Sequence, residues 1–434
     1  MFRAIAGAWL FGGIAYADVG ANGEPIVDSR YRIDLTNGPL LATSRQTGLG
    51  GAYVALGEGA EGLGFNPAAA ALRSPFSTND DDYDLTAGAT FPSSLRNTDF
   101  DNNGKRGFVY NTFLFGTAAG LIQHKAWGVG ATLDLQQYAL GSVERNGQAR
   151  DGTLRLYRIG AVFAHSFYDE QLIVGGGLRV VSMSVVNDFF EAPLLSMAGV
   201  GLQAGAVYMP KQYSVRFGIS GRTAVSSDRA NSDTVLMAGR TLHIPESIEQ
   251  PWEIELGFAW QLGTRSLNLG WHHVKTVPKW LINADRKIVN KMYESDTEVA
   301  TRLLRVRNRQ LPRQKVLVSV ALLVTGSVDN AVGFESFLGQ TVERSGEHAT
   351  FTPRLGIEAE MIPNWLQTRA GSYVEPTRFL TSSSRVHATA GLDVKLFESR
   401  VFGLFSEGTA FRIGGFVDGS RDYFAWGVSA GVWR

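Results

Sequence analysis

The chain has 434 residues, including 50 glycines and no cysteine, with 19% charged and 11% aromatic residues and a formal net charge of zero. Glycine lies above the roughly 7%, and charge below the roughly 25%, of average soluble chains. The missing cysteine excludes disulfides, thiol catalysis, iron–sulfur clusters and cysteine-ligated zinc, and the balanced charge gives no footprint for nucleic acid.

Met1-Phe2-Arg3, the apolar stretch Ala4 to Ile14 and the small-x-small site Ala15-Tyr16-Ala17 predict an export signal over 1–17, cleaved before Asp18. Beyond it no run of about 18 apolar residues occurs, so membrane-spanning helices are not expected. Residues 18–80 are rich in glycine and alanine and precede the first alternating segment. From residue 81 to 434 the chain alternates for long stretches. Trp252, Ile254, Leu256, Phe258, Trp260 and Leu262 oppose Glu253, Glu255, Gly257, Ala259 and Gln261. Val386 to Leu396 and Trp127 to Leu135 repeat the pattern. Such runs reach the ~9–11 residues that a tilted strand needs to cross a bilayer, longer than the ~5–6 of soluble strands.

The pattern predicts strands at 85–91, 113–123, 127–140, 154–167, 172–185, 197–209, 213–224, 252–262, 266–275, 315–325, 331–340, 352–362, 366–374, 386–397, 401–405 and 423–433. Long and short connections alternate between these sixteen segments, as in outer-membrane barrels, and an even count places both termini in the periplasm. The fold class is therefore an all-β transmembrane antiparallel β-barrel of 14 to 16 strands, in the outer membrane of a Gram-negative-type bacterium. A β-sandwich or propeller needs neither the alternating connections nor an apolar outer stripe.

Ahead of the barrel, Ser44-Arg45-Gln46-Thr47-Gly48-Leu49-Gly50-Gly51-Ala52-Tyr53 leads to Gly64-Phe65-Asn66-Pro67-Ala68-Ala69. This stretch resembles the N-terminal segment of the FadL/OmpP1/TodX group of long-chain fatty acid and hydrocarbon transporters, with its PorV-type relatives. The resemblance implies about fourteen strands, and a hatch at 18–80 folded inside the barrel, with Gly48, Gly50, Gly51, Asn66, Pro67 and Ala68 as its motif. It also implies uptake of a hydrophobic small molecule, captured by apolar patches in outer loops and released as the hatch moves. Candidate patches are Phe189, Phe190, Leu194, Leu195 and Trp280, Leu281, Ile282. The alternative is a non-transporting scaffold or accessory barrel of a secretion or cell-surface complex, as PorV-type relatives are. An apolar tunnel favours transport, and a lumen sealed by ion pairs favours the scaffold. On its own physics, the small residues of 48–71 suit backbone packed close against a barrel wall. The end of the chain departs from an aromatic-terminated last strand, since Arg434 follows Trp433.

Asp134, Arg179, Glu253, Glu255, Arg354, Glu358, Glu360, Asp393 and Lys395 fall on the lumen-facing side of the pattern and form a candidate polar network. Asp99, Asp101 and Asn103, with Gly104 at the sixth position, match the first half of a calcium loop, but Tyr110 stands where a bidentate Glu belongs. Calcium is thus the one candidate ligand ion, with an Asx-rich turn as the other reading. Residues 275–315 carry eleven Lys or Arg against four Asp or Glu, a balance of +7. In an outer loop this segment would meet lipopolysaccharide or a surface or secretion protein partner, and its spacing allows an amphipathic helix. His272 and His273 would point to opposite faces of a strand, and no catalytic motif is present, so no enzyme activity is expected.

Overall fold

Strict period-two alternation gives each strand one apolar and one polar or small face, and a sheet of such strands escapes free edges by closing on itself. The computed structural model describes residues 19–77, 80–92, 98–106, 113–145, 148–187, 195–228, 234–237, 240–289, 292–314, 316–380, 382–398 and 409–433. Fourteen antiparallel strands form the ring, each paired with the next and the last with the first. They are β1 (Asp81–Pro92), β2 (Phe113–His124), β3 (Trp127–Arg145), β4 (Gln148–Phe167), β5 (Leu172–Asn187), β6 (Leu195–Tyr208) and β7 (Val215–Arg222). The second half comprises β8 (Glu253–Leu262), β9 (Val316–Thr325), β10 (Thr350–Ile362), β11 (Leu366–Glu375), β12 (Arg385–Glu398), β13 (Ala410–Ser420) and β14 (Tyr423–Val432). Helices are few: α1 (Ser44–Gly48), α2 (Gly59–Gly62), α3 (Lys279–Val289), α4 (Asp296–Arg309) and α5 (Phe334–Gly339). Among the described residues no helix is long and apolar enough to cross a membrane.

The faces follow the alternation. On β8, Ile254, Leu256 and Trp260 are 45%, 51% and 47% exposed, whereas Glu255, Ala259 and Gln261 are buried. The same outward set continues through Val129, Leu133, Leu178, Leu202, Ile219 and Leu322 around the ring. An apolar belt on this scale would drive aggregation in water and is what a hydrocarbon surround requires.

The two ends of the ring differ. One end holds the first residue of β1, the last of β14 and the segment 263–315; it is the strap end below. The other, the cap end, receives connections 223–252 and 326–349. There Arg32–Asp34 pairs in parallel with Ser247–Gln250 and with Ala331–Val332, making a small sheet that also includes Val225–Ser226 and Arg344–Ser345. Val19 hydrogen-bonds Asn330 at the same end. The N-terminal segment thus begins at the cap end, descends through the ring and leaves at the strap end into β1.

The ring's fourteen strands fall within the expected 14 to 16, two fewer than the segments marked by alternation, and several other expectations change. Residues 266–275 form a non-strand strap, 331–340 fold into the two-residue strand Ala331–Val332 and α5, and β13 occupies part of what reads as a loop, while 401–405 lie outside the described residues. Both false segments are apolar runs that make other contacts, which alternation alone does not distinguish. Connections do not sort by length: the turn 421–422 lies at the cap end and the long segment 263–315 at the strap end. The basic insert is therefore at the end where β1 starts and β14 finishes, opposite to its expected outer position. The described chain also begins and ends at opposite ends of the barrel, because its first part runs through the lumen.

Candidate functional site

Residues 43–72 cross the middle of the lumen as a plug of short turns, α1, α2 and the 3-10 helix Pro67–Ala71. Leu49, Ala52, Tyr53, Leu56 and Ala68 are fully buried. The plug touches the wall through backbone because the wall offers glycine where it approaches. A Cβ on Gly356 would stand 2.5 Å from Leu49 O, on Gly175 2.6 Å from Pro67 C, and on Gly391 2.7 Å from Ser44 O. The motif residues sit at these contacts. Gly48 lies against Gly391 and Arg369, and Gly50, at φ +60°, against Ser372 and Leu355. Gly51, at φ +75°, lies against Leu40. Left-handed backbone at Gly50 and Gly51 is the geometry that L side chains resist. Asn66 ties the plug to two strands: its Nδ2 donates to Val54 O (2.9 Å), Ala206 O (3.1 Å) and Ile219 O (3.2 Å), and its Oδ1 accepts from Ala68 N (3.0 Å). Pro67 opens the short helix, where its missing N–H costs nothing.

Around the plug the lumen is lined by ion pairs. Glu358 accepts from Arg45 Nε (2.8 Å) and Arg369 Nε (2.6 Å), and Arg369 Nη1 reaches Asp393 (2.7 Å). Asp393 also accepts from Arg412 (2.9 Å) and from Ser44 Oγ (2.5 Å), and Arg412 pairs with Glu61. Glu58 joins Arg45 (2.9 Å) to Arg216 (2.6 Å). Nearer the cap end, Glu255 pairs with Arg354 (2.8 Å), and Glu253 with Arg222 (2.9 Å) and Arg179 (3.7 Å). Asp134 stands opposite Arg158 in the β3–β4 register. Toward the strap end Glu360 meets Arg265 (3.8 Å), and Lys395 Nζ reaches Asn364 (3.4 Å). Eight of the nine expected lumen charges thus face a charge of opposite sign, while Lys395 sits at the rim. Sequence reading missed the plug's half of this network, Arg45, Glu58 and Glu61, because that segment reads as small residues. It also missed the buried set in which His387 bridges Glu375 (2.6 Å) and Asp418 (2.7 Å).

Two cavities flank the plug. The cap-end cavity, about 60 Å³, has apolar walls from Leu35, Phe100, Tyr138, Leu156 and Phe379, with Arg354, Glu253, Glu335 and Arg378 lining it as well. The strap-end cavity, about 90 Å³, is walled by Leu72, Phe76, Ile173, Met209 and Leu317, with Arg45, Glu58 and Arg216 lining it as well. Residues 263–275 run across its mouth. Asn268 Nδ2 donates to Pro210 O, Tyr213 O and Val215 O, and Trp271 N to Glu170 in the β4–β5 turn. His273 meets Asp80, and Arg73 stacks on Trp271 at 4.1 Å. The Glu170 turn has three successive non-glycine residues at positive φ, Tyr168, Asp169 and Glu170, so the strap docks on strained backbone.

The expected capture patches do not converge. Phe189, Phe190 and Leu194 lie outside the described residues, and Leu195 is buried in the lumenal core at 2% exposure rather than displayed in a loop. Trp280 and Leu281 are on α3 at the opposite end of the barrel, and Ile282 is in the core of a helical hairpin there. In the Asp99 loop Asp99 Oδ1 accepts from Asn103 N (3.0 Å) and Oδ2 from Gly104 N (2.8 Å), and Asn103 Oδ1 accepts from Lys105 N (2.8 Å). No group of three metal-ligating side chains occurs among the described residues. Both Asp101 oxygens are buried without a hydrogen-bond partner, and burial, with the Asp99 charge beside it, pushes this carboxyl up to about 8. Glu335 is raised by burial and then by Asp101.

No family model matches the chain, and no curated protein matches it. Solved structures of similar architecture include a Pseudomonas aeruginosa FadL homologue (10% identity, 92% of this chain and 99% of that one, TM-score 0.49). The CymD monoaromatic hydrocarbon channel matches at 12% identity over 90% and 96% of the two chains, with TM-score 0.49. The P. putida toluene transporter TodX matches at 10% identity over 91% and 98%, with TM-score 0.48. The structural neighbours of this barrel are therefore FadL-type and hydrocarbon channels, alike over about nine-tenths of the chain at low sequence identity.

Proposed function

We propose that the chain is an outer-membrane channel for uptake of a hydrophobic small molecule, of the long-chain fatty acid or hydrocarbon class, with residues 18–80 as its hatch. The observation that carries this reading is the pair of partly apolar cavities separated by a plug that is not part of the sheet. A strand cannot leave the wall without losing its ladder, whereas the plug can shift by exchanging a limited set of polar contacts. An apolar molecule enters the cap-end cavity against Phe100, Tyr138 and Phe379. Displacement of the plug joins this space to the strap-end cavity, where Leu72, Phe76 and Met209 receive it. The catch is the hinge between Arg45 and Glu358 and between Asn66 and the wall.

The test uses a reversible lock. Ser44 Oγ in α1 lies 2.7 Å from Ser429 Oγ on β14, so Ser44→Cys with Ser429→Cys places two thiols at bonding range in a chain with no other cysteine. In proteoliposomes, oxidation should stop uptake of a fluorescent fatty acid or aromatic hydrocarbon, and reduction should restore it. Equal uptake in both states would reject the hatch. The scaffold reading has its own support in the density of buried ion pairs across the lumen. Wild-type protein that carries no such ligand, but copurifies with a stoichiometric protein partner, would install that reading instead.

A further inference from the structure

Helices α3 and α4 form a hairpin that hangs from the strap end, and its exposed surface has no role in the proposed channel. It is a folded unit: Ile282, Val299 and Ala300 form its core, Arg286 pairs with Asp296 (2.6 Å), and Arg302 joins Asp285 and Glu294. Outside that core it displays apolar side chains that a water-facing hairpin would not choose. Trp280 is 70% exposed, Ile288 83%, Met292 66% and Tyr293 84%. Trp280, Ala284 and Ile288 follow one another at helical spacing on one flank of α3, with Lys287 beside them and Lys279 at the start of the helix. From 279 to 309 the sequence has eight Lys or Arg against four Asp or Glu, a balance of +4. Trp, Tyr and long aliphatic residues among lysines and arginines are the composition of an interfacial helix.

Its position supplies a second argument. The barrel wall at this end is ringed by exposed Trp127, Tyr208, Trp260 and Trp365, the kind of aromatic girdle that marks a membrane–water boundary. The chain enters the hairpin from the strap and returns through Arg313, which donates to Glu360 O. Both tethers therefore fix it close to the boundary that the wall itself defines.

We propose that the α3–α4 hairpin seats on the leaflet at the strap end, with the Trp280–Ile288 flank, Met292 and Tyr293 at the acyl boundary and Lys279 and Lys287 on anionic phospholipid headgroups. The inference rests on reading the barrel as membrane-spanning. It adds a lipid-binding surface joined to the strap that crosses the exit of the strap-end cavity, so leaflet charge acts on the same segment that covers the lumen.

Because the chain has no cysteine, single labels report cleanly. Ile288→Cys, Tyr293→Cys and, as a wall reference, Leu256→Cys are each spin-labelled in the full protein. Collision with oxygen and with a water-soluble nickel chelate is then measured in phosphatidylglycerol and in phosphatidylcholine vesicles. The expected result is oxygen-dominated collision at all three sites in phosphatidylglycerol. Adding Lys279→Glu with Lys287→Glu should cut the oxygen preference at 288 and 293 by about an order of magnitude and leave 256 unchanged. Nickel-dominated collision at 288 and 293, with 256 in lipid, would overturn the inference, leave the barrel intact and direct the hairpin to a protein partner. Nickel access at 256 as well would instead reject the membrane-spanning reading.

Discussion

Gly218→Ala isolates how the plug is held. Gly218 faces the plug from β7, and a Cβ there would lie 2.5 Å from Ala55 Cα and 2.6 Å from Val54 C. Carbon atoms in contact prefer about 3.5–4.0 Å, so one side must give by roughly 1 Å. The wall cannot easily give, because Gly218 sits in ladders on both sides, opposite Val207 and Gly257. The strain, about 1–3 kcal/mol for an overpacked site, therefore falls on the plug. At tenfold per 1.4 kcal/mol, the displaced plug becomes about 5- to 140-fold more populated. A reporter thiol at Ala55→Cys, buried in the native plug, reads that population as its rate of modification by a water-soluble maleimide. Gly221→Ala is the matched control, since it lies on the same strand with no atom within 4 Å of the added methyl. If Gly218→Ala exposes the thiol no faster than Gly221→Ala, close backbone approach does not hold the plug, and the account of the wall glycines fails.

Three further outcomes are expected. Arg369→Met leaves Glu358 and Asp393, both buried, short of a cation and should destabilise the barrel by about 3–5 kcal/mol, seen as earlier loss of its heat-modifiable gel mobility; an unchanged transition would mean that Arg45 and Arg412 suffice. Asn66→Leu removes donors to Val54, Ala206 and Ile219, costing about 1–3 kcal/mol per orphaned group; it should speed modification at Ala55→Cys while barrel melting stays put, and joint loss of both would make Asn66 a wall residue. Asp101 is raised from 3.8 to about 8, so the folded loop retains a proton that the unfolded chain releases, and cap-end stability declines as pH rises through that window. Hydrogen exchange in residues 98–106, corrected for intrinsic rates, should thus be slower at pH 5 than at pH 8, and Asp101→Asn should flatten the difference; persistence of the slope in the variant would assign it elsewhere.

What the sequence discloses here depends on how local the determining interaction is. Membrane-crossing strands are legible because hydrocarbon outside and polar or small residues inside impose period two residue by residue, as Trp252 to Leu262 shows. The number of strands is less legible. Residues 266–275 alternate well enough to pass for a strand, yet Asn268 spends its side chain on three turn carbonyls and Trp271 its N–H on Glu170. Glu358 and Asp393 are recognisable as lumen charges from their faces alone. The partner of Glu358, Arg45, is not, because an arginine in the plug segment has no face until the plug is folded against β11 and β12. The position of the basic insert fails for a related reason: the false strand at 266–275 reverses the end to which the connection after it is assigned, and the second false segment at 331–340 restores the order.

The N-terminal segment also bears on how such a ring is made. Residues 19–77 run from the cap end to the strap end inside a sheet whose first strand pairs with its last. The seam between β1 and β14 unites stretches more than 300 residues apart in the chain, and no linear order of synthesis brings them together early. Drawing the segment through a finished ring would pull Arg45, Glu58 and Glu61 past a wall already lined with charge. The alternative is for the strands to wrap around the segment, with the glycines of each strand registering on it in turn and the seam closing last. On that route the plug is a mandrel before it is a gate: the residues that obstruct the lumen in the finished barrel also fix its girth while it is being built.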